Sequence, residues 1–352
     1  MTLDEKKLTQ LVHKGVQEMG AALSGFLVYL GDRLGLFRAL GEGGPATAHD
    51  LAVRTALDER YVQEWLCSQA AAGTVTYDAS TRSFWMTEEQ RACYADESSP
   101  ACFLGAYEVI ASLFADEDKL LAAFRNGNGV GWHEHDSRLF SGTARFFRPG
   151  YAAHLIHEWI PALSGVQQRL ERGAKRVDVG CGYGVTTVLM GKHYPRSQFL
   201  GCDYHAASIE RANELAREQA VQGNVAFAVA GAKDYPGDSY DLVTFFDCLH
   251  DMGDPLGALR HVRDTLAPEG TVMLVEPFAH DCLEDNLTPV GRIFYAASTV
   301  ICTMASKAQE VGLALGAQAG EARWRELFHD AGFRHFRRAA ETPFNLVFEA
   351  RL

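Results

Sequence analysis

Apolar and polar positions along this chain follow two rhythms, and the change between them falls near Lys175. Before it the spacing is mostly helical. Residues 19–40, MGAALSGFLVYLGDRLGLFRAL, form a strongly apolar stretch. TAHDLAVRTA opens at Thr47 with Asp50 three residues on, the arrangement of an N-terminal helix cap. LDERYVQEWLCSQAAAG follows as a second helix that stops at Gly73. TVTY and SFWM, separated by DASTR, alternate as the arms of a β-hairpin. Longer helices are expected around Cys102–Phe124 and Ala144–Leu170, with the glycine-rich RNGNGVGWHEHDS as a loop between them.

From Lys175 short β-rich runs alternate with helical ones. KRVDVG, QFLGCD, VAFAVA, YDLVTFF and TVMLVEP read as strands, and the segments from Val185, ASIERANELAREQA and PLGALRHVRDTLA as helices. EARWRELFHDAGF is a further helix, with RHFRRAA and FNLVFEA as final strands. Such alternation implies a parallel sheet with right-handed crossovers. Ligands of these sheets bind outside the carboxyl ends of the strands. That rule sets Gly180–Gly184, Asp203, Asp247–His250 and Glu276 along one rim. Helix, helix, hairpin in the first part is the pattern of a winged helix.

Bulk properties narrow the class. A length of 352 residues favours two domains, and 47% hydrophobic content can fill their cores. No run of about 18 apolar residues suggests a membrane span. The start, MTLDEKKLTQ, lacks the apolar core of a signal peptide. Eight cysteines are scattered without a CxxC pair. They read as free thiols of a reduced, cytoplasmic protein without structural zinc. A net charge of −12 argues against a polyanionic partner. Residues 1–95 carry nine basic and twelve acidic side chains, and Arg60 is the only cation of the second helix of the winged-helix pattern. A DNA-reading helix offers several cations to phosphates. The apolar first helix therefore reads as a surface buried between two subunits of a homodimer.

VDVGCGYG is a strand running into a glycine turn that opens a helix. Gly180, Gly182 and Gly184 give GxGxG, with Val185 where a dinucleotide motif wants its third glycine. Asp203 ends the next strand and suits two ribose hydroxyls. The ordered set VDVGCGYG, GCD, AGAKDYP, YDLVTFFDCLHD and LAPEGTVMLVEP resembles class I S-adenosylmethionine-dependent methyltransferases from about residue 175 to the end. The resemblance implies an α/β, Rossmann-like, seven-stranded domain whose last strand is antiparallel, behind a mainly helical winged-helix-like domain. Domains are expected at 1–95 (winged-helix-like, dimerising), 96–170 (helical linker or lid) and 171–352 (cofactor binding). It implies that S-adenosylmethionine lies against Asp178, Gly180, Gly182, Gly184, Asp203, Tyr204, Gly231, Ala232 and Asp247. The glycine loop would hold the methionyl part, and Gly231 and Ala232 would flank the adenine.

LHDMGDPLGALRHV is similar to the LHDW-type stretch of small-molecule O-methyltransferases with an N-terminal winged helix. That similarity implies His250 as general base, with Glu276 and Glu321 beside it. A carboxylate next to an imidazole fixes its tautomer and raises its basicity. Met252 departs from the pattern, as does the apolar segment LTPVGRIFYAASTVICTM. His250 reads equally as a pocket wall, and Asp254 before Pro255 as a plain helix cap. Tyr151 and His154, with Phe294 and Tyr295, are candidates for a partly apolar acceptor pocket. Tyr151, His154 and Glu158 also suit a core stripe with satisfied polar tips. WHEHD invites a metal reading through His133, His135 and Asp136, but two histidines at alternate positions are common on loops and no matching third ligand is evident, so no metal is expected there. Two other functions stay open: a ligand-responsive regulator acting through the winged helix, and an enzyme that uses the sulfonium without transferring its methyl group.

Overall fold

A computed structural model describes residues 3–352. The chain forms two compact units. One runs to Ser112 and adds Ser141–Gly150; the other comprises Leu113–Phe140 and Tyr151–Leu352. Residues 96–170 contribute to both.

In the first unit, helices Glu5–Arg33, Leu36–Gly43, Ala48–Thr55 and Glu59–Ala72 precede a hairpin of β1 (Thr76–Asp78) and β2 (Ser83–Trp85). The expected caps are present. Thr47 Oγ1 accepts from the Asp50 N–H at 3.2 Å, and Asp50 accepts from the Thr47 N–H at 2.9 Å, a reciprocal box that satisfies two end donors. Asp58 caps the next helix, and Gly73 ends it at φ +78°, a left-handed conformation that suits glycine. Phe37, Leu40, Leu51, Trp65 and Leu66 fill the core. Helix Glu5–Arg33 leaves Leu11, Val16, Met19, Leu23 and Phe26 exposed. Among the described residues, no helix is long and apolar enough to cross a membrane.

Two expected helices are broken. The stretch Cys102–Phe124 becomes Leu104–Ala115 and Glu117–Asn126. The break falls at Asp116, whose buried carboxylate takes the Asp136 N–H at 2.8 Å, the His135 ring at 2.9 Å and Lys119 at 2.7 Å. The stretch Ala144–Leu170 becomes helix Arg138–His154, a π turn at Leu155–Trp159, a short turn at Ile160–Ala162 and helix Val166–Arg172. In the π turn the Ile160 N–H bonds to the Leu155 carbonyl, five residues back.

The second unit is built on seven strands: β3 (Lys175–Val179), β4 (Gln198–Asp203), β5 (Val225–Val229), β6 (Tyr240–Phe246), β7 (Leu266–Pro277), β8 (His335–Glu341) and β9 (Asn345–Arg351). Their order is β5-β4-β3-β6-β7-β9-β8. β3 to β7 pair in parallel, and β9 inserts antiparallel between β7 and β8. The order reverses at β3, whose neighbours are β4 and β6, so the carboxyl ends of these three strands flank the switch point where such sheets bind ligands. Val177, Val243, Phe245, Val272, Leu274 and Phe348 pack with Trp324 and Phe328 in the core, and burial of each large apolar side chain stabilises by about 1.5–3 kcal/mol.

Candidate active site

β3 delivers the chain into the glycine turn. Gly180, Gly182 and Gly184 have φ of +72°, +51° and +75°, where a side chain would be strained. A Cβ at Gly184 would also stand 2.5 Å from the Phe227 ring, and one at Gly180 2.8 Å from Cys248 Sγ. At Gly182 it would meet no protein atom within 4 Å. The turn thus packs tightly at both ends and shows bare backbone in its middle. It hangs from β4: the Gly180 and Cys181 N–H groups both bond to the Cys202 carbonyl.

Two aspartates hold this half of the rim. Asp203 accepts the Gly182 N–H at 3.0 Å through one oxygen and the His205 N–H at 2.9 Å through the other. Burial raises its pKa, and those two N–H bonds pull it back. Each oxygen keeps lone pairs for further donors. Asp178 lies differently. It is 1% exposed and takes the hydroxyls of Thr186 and Thr187 on one oxygen, with Thr244 at 2.8 Å and Arg176 at 3.1 Å on the other. Its side chain faces the interior behind the loop, where it ties β3, β6 and the following helix together. Tyr204 is half exposed and meets the His133 ring edge-on at 5.9 Å. Gly231 and Ala232 follow β5, and the Gly231 N–H bonds to Asp234 at 2.7 Å.

The other half is the turn after β6. Asp247 has φ +49°, a strained value for a residue with a side chain. Its carboxylate receives the Tyr151 hydroxyl at 2.7 Å and the Asn345 amide at 2.9 Å. Burial pushes its pKa up to about 8 against the Tyr151 hydrogen bond. The same burial and the Asp247 charge push the Tyr151 phenol well above its usual value. A single 3₁₀ turn, Leu249–Asp251, then points His250 inward, before Asp254 caps the next helix through the Gly257 N–H at 2.8 Å.

His250 is 3% exposed. Its Nδ1 bonds to Glu276 at the end of β7, itself 1% exposed. Its Nε2 lies 3.1 Å from Asp251 Oδ1. Burial opposes a charged ring, but the Glu276 and Asp251 carboxylates outweigh it and raise the pKa well above the usual histidine value. Cys302 completes the corner, brought there by the helices Pro289–Val300 and Cys302–Lys307 of the apolar segment. Burial and Asp251 push its thiol up to about 12. The Ser306 hydroxyl to the Met252 carbonyl (2.9 Å) and the Gln309 amide to the Asp251 carbonyl (2.9 Å) fasten that segment to the turn.

Glu321 is not brought to His250. It opens helix Glu321–Ala331, where Arg325 takes one oxygen and Arg338, on β8, the other. Asp251, inside the motif itself, is the second carboxylate at the ring. His154 pairs with Glu158 at 2.9 Å and stacks on Trp159. Phe294 is buried against Phe344, and Tyr295 is half-buried beside it in the chain. The loop histidines form no cluster: His135 is tied to Asp116, and Asp136 pairs with Arg138 at 2.6 Å.

A seven-stranded sheet with an antiparallel last strand, a glycine turn hung from its neighbour strand and an acidic residue closing that strand define the class I S-adenosylmethionine-dependent methyltransferase domain. Residues 170–332 match the family model described as a methyltransferase domain, and residues 21–95 that of an Rv2258c-like winged HTH domain. The chain therefore carries a class I methyltransferase domain behind a winged helix. Among relatives, trans-aconitate 2-methyltransferase of Streptomyces avermitilis is 28% identical over 128 residues, 36% of this chain and 48% of that protein. The chain thus spans about half the length of that relative, and 39% of the next. Two solved structures share the whole architecture. Human N-acetylserotonin methyltransferase, in complex with S-adenosylmethionine, is 15% identical with a TM-score of 0.72, covering 100% of this chain and 99% of that one. Mitomycin 7-O-methyltransferase is 16% identical with a TM-score of 0.72, covering 99% and 100%.

S-adenosylmethionine suits the residues present. The open backbone at Gly182 admits a ligand, Asp203 keeps lone pairs for hydroxyl donors, and Asp247 offers a carboxylate at the mouth of β6.

Proposed function

We propose that this protein transfers the methyl group of S-adenosylmethionine to a small-molecule acceptor. The observation that carries the reading is the turn Gly180–Gly184 held to Asp203, beside a corner crowded with carboxylates. The bound sulfonium supplies an electrophilic methyl group, so the protein has little to add beyond alignment and exclusion of water. In this reading the turn Gly180–Gly184 holds the methionyl part, with Gly182 giving the backbone room and Gly180 and Gly184 letting the turn pack against Cys248 and Phe227; Asp203 accepts from the ribose, and Gly231 and Ala232 flank the adenine. Asp247 faces the amino end, positioned by Tyr151 and Asn345. Asp178 supports the loop from behind. Where the acceptor is a phenol, His250 held by Glu276 is the group to receive its proton. Tyr151, His154, Phe294 and Tyr295 remain the pocket candidates for the acceptor.

The exposed stripe of helix Glu5–Arg33 supports a homodimer formed through the first unit, and the acidic balance of that unit supports a role without nucleic acid. Eight free cysteines suit a cytoplasmic setting. Val16→Glu with Leu23→Glu is expected to turn a dimer into a monomer in sedimentation; a wild-type monomer would remove this part of the reading.

The test is labelled S-adenosylmethionine with a panel of phenols, thiols and amines, wild type beside His250→Ala, and products identified by mass. Labelled product with wild type supports transfer, and its loss in the variant with S-adenosylhomocysteine still bound supports His250 in proton handling. Tight cofactor binding with no labelled product from any acceptor would point to a regulator or to an enzyme that keeps the methyl group.

A further inference from the structure

The first unit contains a cavity that methyl transfer does not use. It lies between helix Glu59–Ala72, the start of helix Ala48–Thr55 and the hairpin, all within that unit, and has a volume of about 570 Å³. Hollows of that size hold small molecules. Glu59, Gln63, Cys67 and Ala70 recur at three and four residues, so they present one stripe of the helix to it. On the hairpin side buried Phe84 packs with Tyr77, ring centres 4.8 Å apart. The carboxylate of the lining is already paired: Glu59 meets the His49 ring at 2.8 Å. The guanidinium of the lining is not. Arg82 stands in the hairpin turn at φ +55°, a left-handed conformation that such turns usually give to glycine or asparagine. Asp78 of the same hairpin is taken by the Ser80 N–H at 2.8 Å and by the Ser80 and Thr81 hydroxyls at 2.7 and 2.9 Å. Among the described residues Arg82 forms no ion pair. A strained turn thus keeps a free cation beside a partly aromatic hollow, and strain of this kind gathers where ligands bind. A helix that reads DNA offers several cations, whereas Arg60, the one cation of helix Glu59–Ala72, is tied to Glu64 at 2.5 Å.

We propose that this cavity is a second binding site, for a small aromatic carboxylate. The ring packs with Tyr77 and Phe84, as aromatic pairs do. The carboxylate takes Arg82, whose planar fork matches two oxygens at once. A neutral ring leaves that fork unused, and a cationic one meets it as a like charge. The site does not rest on methyl transfer. Its residues belong to the first unit, whereas Gly180–Gly184 and His250 belong to the second. It gives the winged helix a use that needs no nucleic acid.

Cys67, an exposed thiol in the lining, reports on the cavity. Exposed Cys282 in the second unit controls for the reagent, and buried Cys102 shows whether the first unit is folded. The full chain is alkylated with iodoacetamide in the presence of naphthoate, benzoate, benzamide, benzylamine or acetate at equal ionic strength. Mass spectrometry then gives the labelling rate of each cysteine. Saturating naphthoate is expected to slow Cys67 by about fivefold or more, and benzoate to act with roughly millimolar affinity, as suits so small a molecule. Cys282 should label at one rate throughout. Benzamide, benzylamine and acetate should leave Cys67 within about twofold of its free rate, since each lacks the ring or the anion. Arg82→Gln is expected to weaken naphthoate binding about tenfold. Gln63→Trp, which fills the cavity from the helix, should abolish it in equilibrium dialysis. One rate for wild-type Cys67 in every solution overturns the site. So does equal protection by benzamide or benzylamine, or protection unchanged in Arg82→Gln. Where Arg82→Gln opens Cys102 to the reagent, Gln63→Trp decides. Protection of Cys67 by duplex DNA in place of naphthoate overturns the proposal in favour of a nucleic-acid reader.

Discussion

The two halves of the rim solve opposite problems. Around the glycine turn the carboxylate oxygens are met by donors, which are in excess: Asp178 faces three hydroxyls and a guanidinium whose Nε and Nη1 stay buried without a partner, and Asp203 faces two backbone N–H groups. Around His250 the acceptors outnumber the donors. Asp251 and Glu276 flank one imidazole, with Asp247 on the same turn, and Glu276 Oε1 is buried without a hydrogen-bond partner. A carboxylate met by donors is finished by folding alone. One left short of them holds unspent acceptor capacity at about 1–3 kcal/mol for each buried group, which a positive ligand can recover. The first half reads as cradle and the second as the place where positive charge is received.

Substitutions can break this contrast. The largest effect is expected at Asp178→Ala, which strands the buried Arg176 guanidinium and should cost about 3–5 kcal/mol in urea unfolding. A loss below 1 kcal/mol would show that the loop half is not held as described. Asp203→Ala removes the acceptor assigned to two ribose hydroxyls. Calorimetry should show S-adenosylhomocysteine binding about a hundredfold weaker, at roughly 1.5 kcal/mol for each charge-assisted bond lost. Next comes pH. Asp247 keeps its proton until about 8, above the ordinary carboxylate value, so pairing with the ligand's amino cation must release that proton. Affinity for S-adenosylhomocysteine should therefore climb as pH rises from 6 to 8, by up to about tenfold per unit, and Asp247→Asn should flatten the slope. A flat wild-type profile removes Asp247 from that contact. The smallest effect is expected at Thr187→Val. One of three hydroxyls on Asp178 is lost, stability drops by about 1 kcal/mol, and cofactor affinity stays where it was.

What the sequence made legible was locally coded. Gly180–Gly184 needs left-handed backbone, Asp50 sits where a cap requires it, and the strand runs are short and apolar, so each could be read in place. Asp178 was harder, because residues two apart on a strand share a face. It points with Arg176 into the interior rather than to the rim. Glu321 matched a motif position, yet Arg325, one helical turn on, was already there as a competing partner, and Arg338 came from a distant strand. Cys302 carried no local signal. It reaches His250 only because an apolar segment folds back over the turn, and that contact depends on packing between residues far apart in the chain. Asp251 stood in view beside His250, but the geometry of a single 3₁₀ turn decides which way it faces.

The π turn at Leu155–Trp159 makes this region unusually sensitive to chain length. A regular α-helix rotates about 100° per residue, so residues eight apart end about 80° out of line. The wider turn takes up that difference: the rings of Tyr151 and Trp159 lie 6.1 Å apart, and the Tyr151 hydroxyl reaches Asp247. Point substitutions there change one side chain. Removing one residue would restore a uniform helix and swing Tyr151 away from Asp247, so among natural and engineered variants this short stretch should tolerate exchanges far better than deletions.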